Sequence, residues 1–146
     1  MADIPEEHLT EELLDRLLAS TSIEQYLDEG LVSARTLTDY LFDCMEAHDL
    51  RRADVVRASG LNATVVYDIF SGKSRPGRDH AIMLAFGLKC TLRETQRLLR
   101  LAGVSELWCK QRRDAIIIWC IRNGFDRIAT DDELYRMGEA TLLPAD

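Results

Sequence analysis

Glycines and helix-capping residues divide the middle of this chain into short helical segments. Gly60 and Gly72 suit the left-handed turn that ends a helix, and Asn62 suits the position before a helix, where its side chain accepts an amide hydrogen bond. These signals predict one helix over residues 51–59 and another over residues 63–71. Because only three residues join them, the two helices must meet through a tight turn.

Hydrophobic periodicity predicts helices on both sides of this pair. From Ser33 the apolar residues repeat with the 3.6-residue period of a long amphipathic helix. Capping-box patterns predict further helix starts at Thr21, Thr91 and Thr130. The other predicted helices cover residues 10–19, 78–87 and 110–123, and Asp49 is the predicted cap of the helix over residues 51–59.

The apolar run over residues 115–121 fits a strand as well as a helix. No second strand candidate exists in the sequence with which it could pair. We therefore expect a helix there and an all-α fold overall. The run is also far shorter than the about 20 apolar residues that a membrane-spanning helix needs, so no membrane segment is expected.

Cysteine usage and the N-terminus favour a cytoplasmic protein. The four cysteines include no C-x-x-C pair and no nearby histidine, so we expect reduced core residues and no metal site. The N-terminus is acidic and lacks the basic and apolar regions of a signal peptide. Gly72-Lys73-Ser74 lacks the earlier glycine of a phosphate-binding loop, because Tyr67 stands at that place. Neither a cofactor nor enzymatic activity is expected.

Charge is distributed unevenly along the chain. The net charge of −7 alone argues against a nucleic acid partner, since Lys and Arg side chains neutralise phosphates in such complexes. Residues 1–49, however, hold 2 basic and 13 acidic side chains, whereas residues 50–103 hold 10 basic and 4 acidic ones. Residues 104–146 hold 6 basic and 8 acidic side chains. An acidic arm is thus attached to a basic middle, which is compatible with a nucleic acid partner there.

The pair of helices around Gly60 has the pattern of a helix-turn-helix. Gly60 permits the sharp turn, and Leu61 fills the corner between the helices. Apolar residues on both helices pack inward, so the opposite face of the second helix is turned outward, where it can enter a DNA major groove. The inward residues are Val55, Val56, Val66 and Ile69.

Residues 35–103, about half of the chain, resemble the Cro and phage-repressor class of helix-turn-helix regulators, often called XRE-like. The most telling part is Ile69-Phe70-Ser71-Gly72-Lys73-Ser74-Arg75-Pro76, where the apolar residue, the glycine, the basic residue and the proline stand as in that class. Residues 104–143 are similar to a C-terminal extension of some bacterial members. The resemblance implies a five-helix repressor-like domain over residues 33–103, followed by a helical extension over residues 104–146 that packs on the core or at a dimer interface. The acidic helical arm covers residues 1–32.

The resemblance also implies a set of DNA-contacting residues. In that class the third helix of the domain reads bases, while its flanks and the start of the second helix bind phosphates. Carried over by position, the base-facing residues are Asn62, Ala63, Thr64, Tyr67 and Asp68, and the phosphate-facing residues are Arg52, Lys73 and Arg75. Arg51 and Arg78 belong to the same basic region and join the expected phosphate contacts.

Three residues depart from the pattern of the class. Arg52 stands where Gln is common, Ala63 stands where Gln, Arg or Asn is frequent, and Phe70 stands where Glu is frequent. Ala63 offers no bidentate contact to a base, and Asp68 suits only a cytosine amino group. Base reading is therefore expected to be sparse, with a larger part for DNA shape and for the spacing of half-sites.

Together these features favour a sequence-specific DNA-binding transcriptional regulator that acts as a homodimer on half-sites about 34 Å apart. The alternative is a protein-interaction adaptor, or an antitoxin-like partner of an enzyme, in which the scaffold has lost base reading and the acidic arm binds a basic protein. The arm itself fits either an amphipathic helix pair packed through its leucines or a partner-binding segment that covers the basic surface. These leucines are Leu13, Leu14, Leu17 and Leu18.

Overall fold

The computed structural model describes residues 10–28 and 36–144. Within these ranges the chain forms helices and turns without a strand, which confirms the all-α prediction. The chain divides into two compact units, of which the smaller holds the first two helices and the larger holds all the others. In chain order the helices are α1 (Thr10–Ala19), α2 (Ile23–Asp28), α3 (Leu37–Ala47), α4 (Arg52–Ser59), α5 (Ala63–Phe70), α6 (Arg78–Gly87), α7 (Leu92–Leu101), α8 (Arg112–Arg122) and α9 (Arg127–Arg136).

In the smaller unit, α1 has the predicted bounds but α2 begins later than the sequence suggested. The Ser22 hydroxyl accepts the Gln25 backbone N–H at 3.1 Å, and Gln25 Oε1 accepts the Thr21 N–H at 2.9 Å. The predicted Thr21–Glu24 box is therefore wrong by one residue, because Ser22 and Gln25 offer the same spacing one position on. The leucines of α1 that were expected on its inner face include three exposed ones: Leu14, Leu17 and Leu18.

Helix α3 begins at a capping box that the sequence analysis did not identify. Thr36 Oγ1 accepts the Asp39 N–H at 3.2 Å, and Asp39 Oδ2 accepts the Thr36 N–H at 3.3 Å. The helix therefore starts at Leu37, and Ser33, where the periodic pattern began, lies outside the described residues. The predicted apolar row is confirmed at its centre, where Tyr40, Leu41 and Cys44 are buried.

Three residues link α4 to α5, as predicted. Gly60 has a φ of +79°, a left-handed conformation that favours glycine, and Asn62 Oδ1 accepts the backbone N–H groups of Thr64 and Val65 at 2.8 and 3.3 Å. The predicted Asp49 cap of α4 is wrong. Asp49 has a φ of +53° in the preceding turn, and the orphan N–H of the capping residue Arg51 is instead accepted by the Asp54 carboxylate at 2.9 Å.

Helix α6 forms the centre of the larger unit. Every residue from Ala81 to Ala85 is buried, and α6 packs so closely on α4 that a Cβ added to Gly87 would lie 2.8 Å from the Ser59 Cβ. Around this centre, α3 and α7 are joined by a buried hydrogen bond of 2.9 Å between His48 Nε2 and Glu94 Oε1. Glu94 also closes the predicted capping box of α7, so one carboxylate serves both the helix start and the core.

The C-terminal helices belong to the same unit as α3–α7. The ambiguous run over residues 115–121 is helical, as predicted, and Arg113 on α8 holds Asp79 of α6 through two bonds of 2.9 and 3.1 Å. The predicted capping box at Thr130 is wrong. Helix α9 begins one turn earlier, where Asp126 accepts the Ala129 N–H at 2.8 Å, and Thr130 is buried inside the helix.

Candidate nucleic-acid interface

Helix α5 separates a buried face from an exposed one. Val66, Ile69 and Phe70 are buried, and the Phe70 ring meets the Phe42 ring edge-on with 5.2 Å between centroids. This packing fixes the rotation of α5 about its axis. The three residues on its exposed side, all of which the sequence analysis assigned to base contacts, are Ala63, Thr64 and Tyr67.

A cation–π contact joins the start of α4 to the exposed face of α5. The guanidinium carbon of Arg52 lies 5.2 Å from the centroid of the Tyr67 ring, which is 44% exposed. Stacking on a ring face leaves the N–H groups in the guanidinium plane available as donors. Both residues are among the predicted DNA contacts, but nothing in their spacing of fifteen positions indicates that they stack.

Asn62 has part of its hydrogen-bonding capacity committed to the fold. Its Oδ1 accepts the two N–H groups at the start of α5, so only the Nδ2 donors remain for a ligand. A bidentate contact to adenine needs both the donor and the acceptor of an amide side chain. Asn62 can therefore donate to a base but cannot form the bidentate adenine contact while it caps the helix.

The turn after α5 presents Lys73 to solvent. The Asp68 backbone carbonyl accepts the N–H of Lys73 at 2.9 Å and that of Ser74 at 3.2 Å, and Gly72 adopts a φ of +81°. The Asp68 side chain is only partly exposed, and the observed role of this residue is to hold the turn through its backbone carbonyl. Lys73 is exposed just after the C-terminal end of α5, opposite to the end that Asn62 caps.

Two of the predicted phosphate contacts, Arg75 and Arg78, form hydrogen bonds with other groups of the protein. Arg75 donates from Nη2 to the Leu101 carbonyl at 3.3 Å but remains exposed. Arg78 holds both carboxylate oxygens of Asp114, at 3.0 and 2.7 Å, and two further N–H groups donate to the carbonyl oxygens of Ser105 and Glu106 at 3.0 Å each. These bonds use four of the five N–H donors of Arg78 and tie α6 to α8, so the charge of Arg78 is already paired within the protein.

Four of the assigned cations have no ion-pair partner among residues 10–28 and 36–144: Arg51, Arg52, Lys73 and Arg75. The nearby carboxylate of Asp54 is occupied, because it accepts the Arg51 backbone N–H and the Arg57 guanidinium, at 2.9 and 2.8 Å. Both bonds hold the pKa of Asp54 below its ordinary value. The surface around the start of α4 and the exposed side of α5 thus carries cations that no ion pair neutralises, and the one acidic side chain of α5 is the partly exposed Asp68.

The described part of the chain contains no group of three or more His, Cys, Asp or Glu side chains placed to hold a metal ion. None of its helices is long and apolar enough to cross a membrane. Comparison of the sequence with protein-family models and with curated proteins, and of the chain with solved structures, finds no match.

Proposed function

We propose that this protein is a sequence-specific DNA-binding transcriptional regulator that places α5 in the major groove. The supporting observation is the exposed side of α5, Ala63, Thr64 and Tyr67, with the unpaired cation Arg52 stacked on Tyr67 and the unpaired cation Lys73 in the turn after the helix. An α-helix fits the major groove, and cations beside it can neutralise the phosphates of both groove edges. In this proposal, α3–α7 form the repressor-like domain that the sequence resembles.

The two kinds of contact have different consequences. Arg51, Arg52 and Lys73 supply affinity through phosphates and carry no sequence information themselves. Sequence is read by the Nδ2 donors of Asn62, by the hydroxyl groups of Thr64 and Tyr67 and, for a thymine methyl, by the Ala63 side chain. Because this set includes no bidentate pair, DNA shape and half-site spacing contribute a large share of the specificity.

Two half-sites require two copies of α5, so we propose that the regulator is a homodimer in the cytoplasm. An exposed apolar groove of about 360 Å³ between α8 and α9 offers a surface for the second copy. Its apolar lining consists of Ala115, Ile116, Trp119 and Met137, and Trp119 is 54% exposed. Sedimentation analysis of wild type and Met137→Glu tests this assignment, with a dimer expected only for the wild type.

The proposal is tested by fluorescence anisotropy with DNA from upstream of the protein's own gene and with a shuffled fragment of the same length. We expect the upstream DNA to bind at least about 10³-fold more tightly. The Asn62→Ser variant keeps a good capping oxygen but removes the Nδ2 donors, so it should weaken upstream binding and leave shuffled binding unchanged. Equal affinity for both fragments in the wild type would refute sequence-specific recognition.

The adaptor alternative has one observation in its favour, because the exposed apolar groove of α8 and α9 also suits a different protein. The double variant Arg52→Gln/Lys73→Gln separates the two functions. A regulator loses DNA affinity in this variant, whereas an adaptor that binds through another surface keeps its partner affinity.

A further inference from the structure

A cavity of about 440 Å³ lies between α4, α6 and the turn that joins α8 to α9. Its volume falls within the range of about 300–1,000 Å³ that is typical of small-molecule sites. All of its lining residues belong to the larger unit, and exposed residues such as Arg57, Lys89 and Asp126 lie at its rim, so solvent can enter. It is separate from the exposed side of α5.

The walls of the cavity are mainly apolar. Phe86 comes from α6, Ile121 from α8, and Phe125 and Ile128 from the turn and the start of α9. The Phe125 ring packs edge-on against the Trp119 ring, with 5.3 Å between the ring centroids. Such walls favour a ligand with an apolar or aromatic body.

Positive charge predominates among the charged groups of the cavity. The cations are Arg57, Lys89 and Arg127, and the single carboxylate, that of Asp126, is engaged as the cap of α9. The Lys89 ammonium group has no ion-pair or hydrogen-bond partner in the described ranges. Arg57 has only an exposed ion pair with Asp54, of a kind that contributes little and exchanges easily.

Arg127 is the most buried of these cations. Its Nη1 donates to Asp131 at 2.8 Å, but its Nε is buried and has no hydrogen-bond partner. A buried donor without a partner is costly, and native structures rarely leave one without a reason. Because this Nε faces Gly60, a ligand in the cavity would meet the Nη2 group instead, which has no hydrogen-bond partner among the described residues.

We propose that this cavity binds a small organic anion, with its carboxylate held by Lys89 and Arg127 and its apolar body between Phe86 and Phe125. Charge complementarity selects the anion, and the apolar walls discriminate against small anions that lack a hydrophobic body. No covalent step is involved.

The site is coupled to the α4–α5 link through Arg127. A Cβ added to Gly60 would lie 2.6 Å from Arg127 Nε, so the guanidinium rests directly against the left-handed glycine of the link. A ligand that pulls Arg127 toward the cavity changes the packing on this glycine. If the proposed DNA-binding function holds, on which this step depends, the anion is an effector that alters DNA affinity.

The ligand test uses phenylacetate as the probe and the fluorescence of Trp119 as the readout, in a Trp108→Phe background that leaves one of the two tryptophans. Phenylacetamide lacks the charge and acetate lacks the apolar body, so both serve as matched controls. We expect saturable binding of phenylacetate, and at least about tenfold weaker binding of both controls. Lys89→Gln should weaken phenylacetate binding about tenfold, and Lys110→Gln, which removes an exposed cation outside the cavity, should leave it unchanged.

The proposal is overturned if phenylacetate at concentrations up to about 10 mM neither saturates the fluorescence change nor raises the Tm, since the Kd would then exceed about 10 mM. It is also overturned if phenylacetamide binds equally well, or if Lys89→Gln has no effect. These measurements contain no DNA. Anisotropy with upstream DNA, with and without phenylacetate, is recorded separately, so loss of DNA binding refutes the regulator and leaves the cavity result intact.

Discussion

Arg78 and Asp114 form a two-bond ion pair, with N–O distances of 3.0 and 2.7 Å, that joins the start of α6 to the first turn of α8. The Asp114 side chain is 2% exposed, and it also accepts the Trp108 backbone N–H at 3.0 Å. A carboxylate this deeply buried depends on its cation, because it has lost its water. The pair therefore couples the C-terminal helices to α6.

We expect Arg78→Gln to destabilise the protein by about 3 kcal/mol, because it leaves the Asp114 charge buried without its partner. Urea unfolding followed by circular dichroism measures this loss. Arg100→Gln is the matched control, since Arg100 makes an exposed pair with Glu106 and its loss should change stability little. Equal stability of Arg78→Gln and wild type would show that the pair is not needed.

Gly60→Ala should destabilise the protein by more than the cost of placing alanine in a left-handed backbone conformation. The φ of +79° costs any other residue about 1 kcal/mol, and the new Cβ would also displace the Arg127 guanidinium. Gly138→Ala isolates the backbone cost, because Gly138 has a φ of +77° and nothing within 4 Å of an added Cβ. Thermal unfolding should rank Gly60→Ala below Gly138→Ala, and the opposite order would contradict the contact with Arg127.

The cap at Asp54 gives the stability a defined pH dependence. Its folded-state pKa is lowered by the Arg51 N–H and by Arg57, so its contribution is present above the ordinary Asp pKa and is lost as the pH falls through the lowered value. Asp54→Ala should therefore lower the Tm at neutral pH, and this difference should disappear in acid. Asp132→Ala, which removes an exposed carboxylate within α9, should show no such pH-dependent difference.

Cys109 should react with iodoacetamide before the other cysteines. It is exposed, whereas Cys44 and Cys120 are buried. The pKa of Cys90 is raised by its hydrogen bond with Cys44 and by burial, which keeps its thiol protonated at neutral pH. Mass spectrometry of the native protein should show one fast modification that Cys109→Ser abolishes. A fast second site at Cys90 would contradict the packing of α3 on the start of α7.

The sequence predicted those features of the fold that local signals determine. Gly60, Asn62 and Thr91 each have one favoured use at a helix end, and the structure uses them in that way. The predicted helix starts at Thr21 and Thr130 were wrong because other residues close in sequence, Ser22 and Asp126, cap the helices instead. Competition between adjacent caps is decided by packing, which a local pattern does not contain.

Long-range contacts in the candidate sites could not be predicted in this way. Arg78 was predicted to contact phosphate because it lies in the basic region of the sequence. Its actual partner, Asp114, is 36 residues away, and no periodic pattern connects the two residues. The stacking of Arg52 on Tyr67 and the packing of Arg127 on Gly60 likewise depend on the folded arrangement of helices. The cavity, which is formed by residues from distant helices, had no sequence signal.

The most direct test of the central claim is the salt dependence of binding to upstream DNA, compared between wild type and Arg52→Gln/Lys73→Gln. If both cations contact phosphates, the slope of log K against log salt should be smaller in magnitude by about 2 in the double variant. Lys110→Gln should keep the wild-type slope. Identical slopes for the wild type and the double variant, or no DNA binding at low salt, would contradict the assignment of α5 and its flanking cations as a DNA-binding surface.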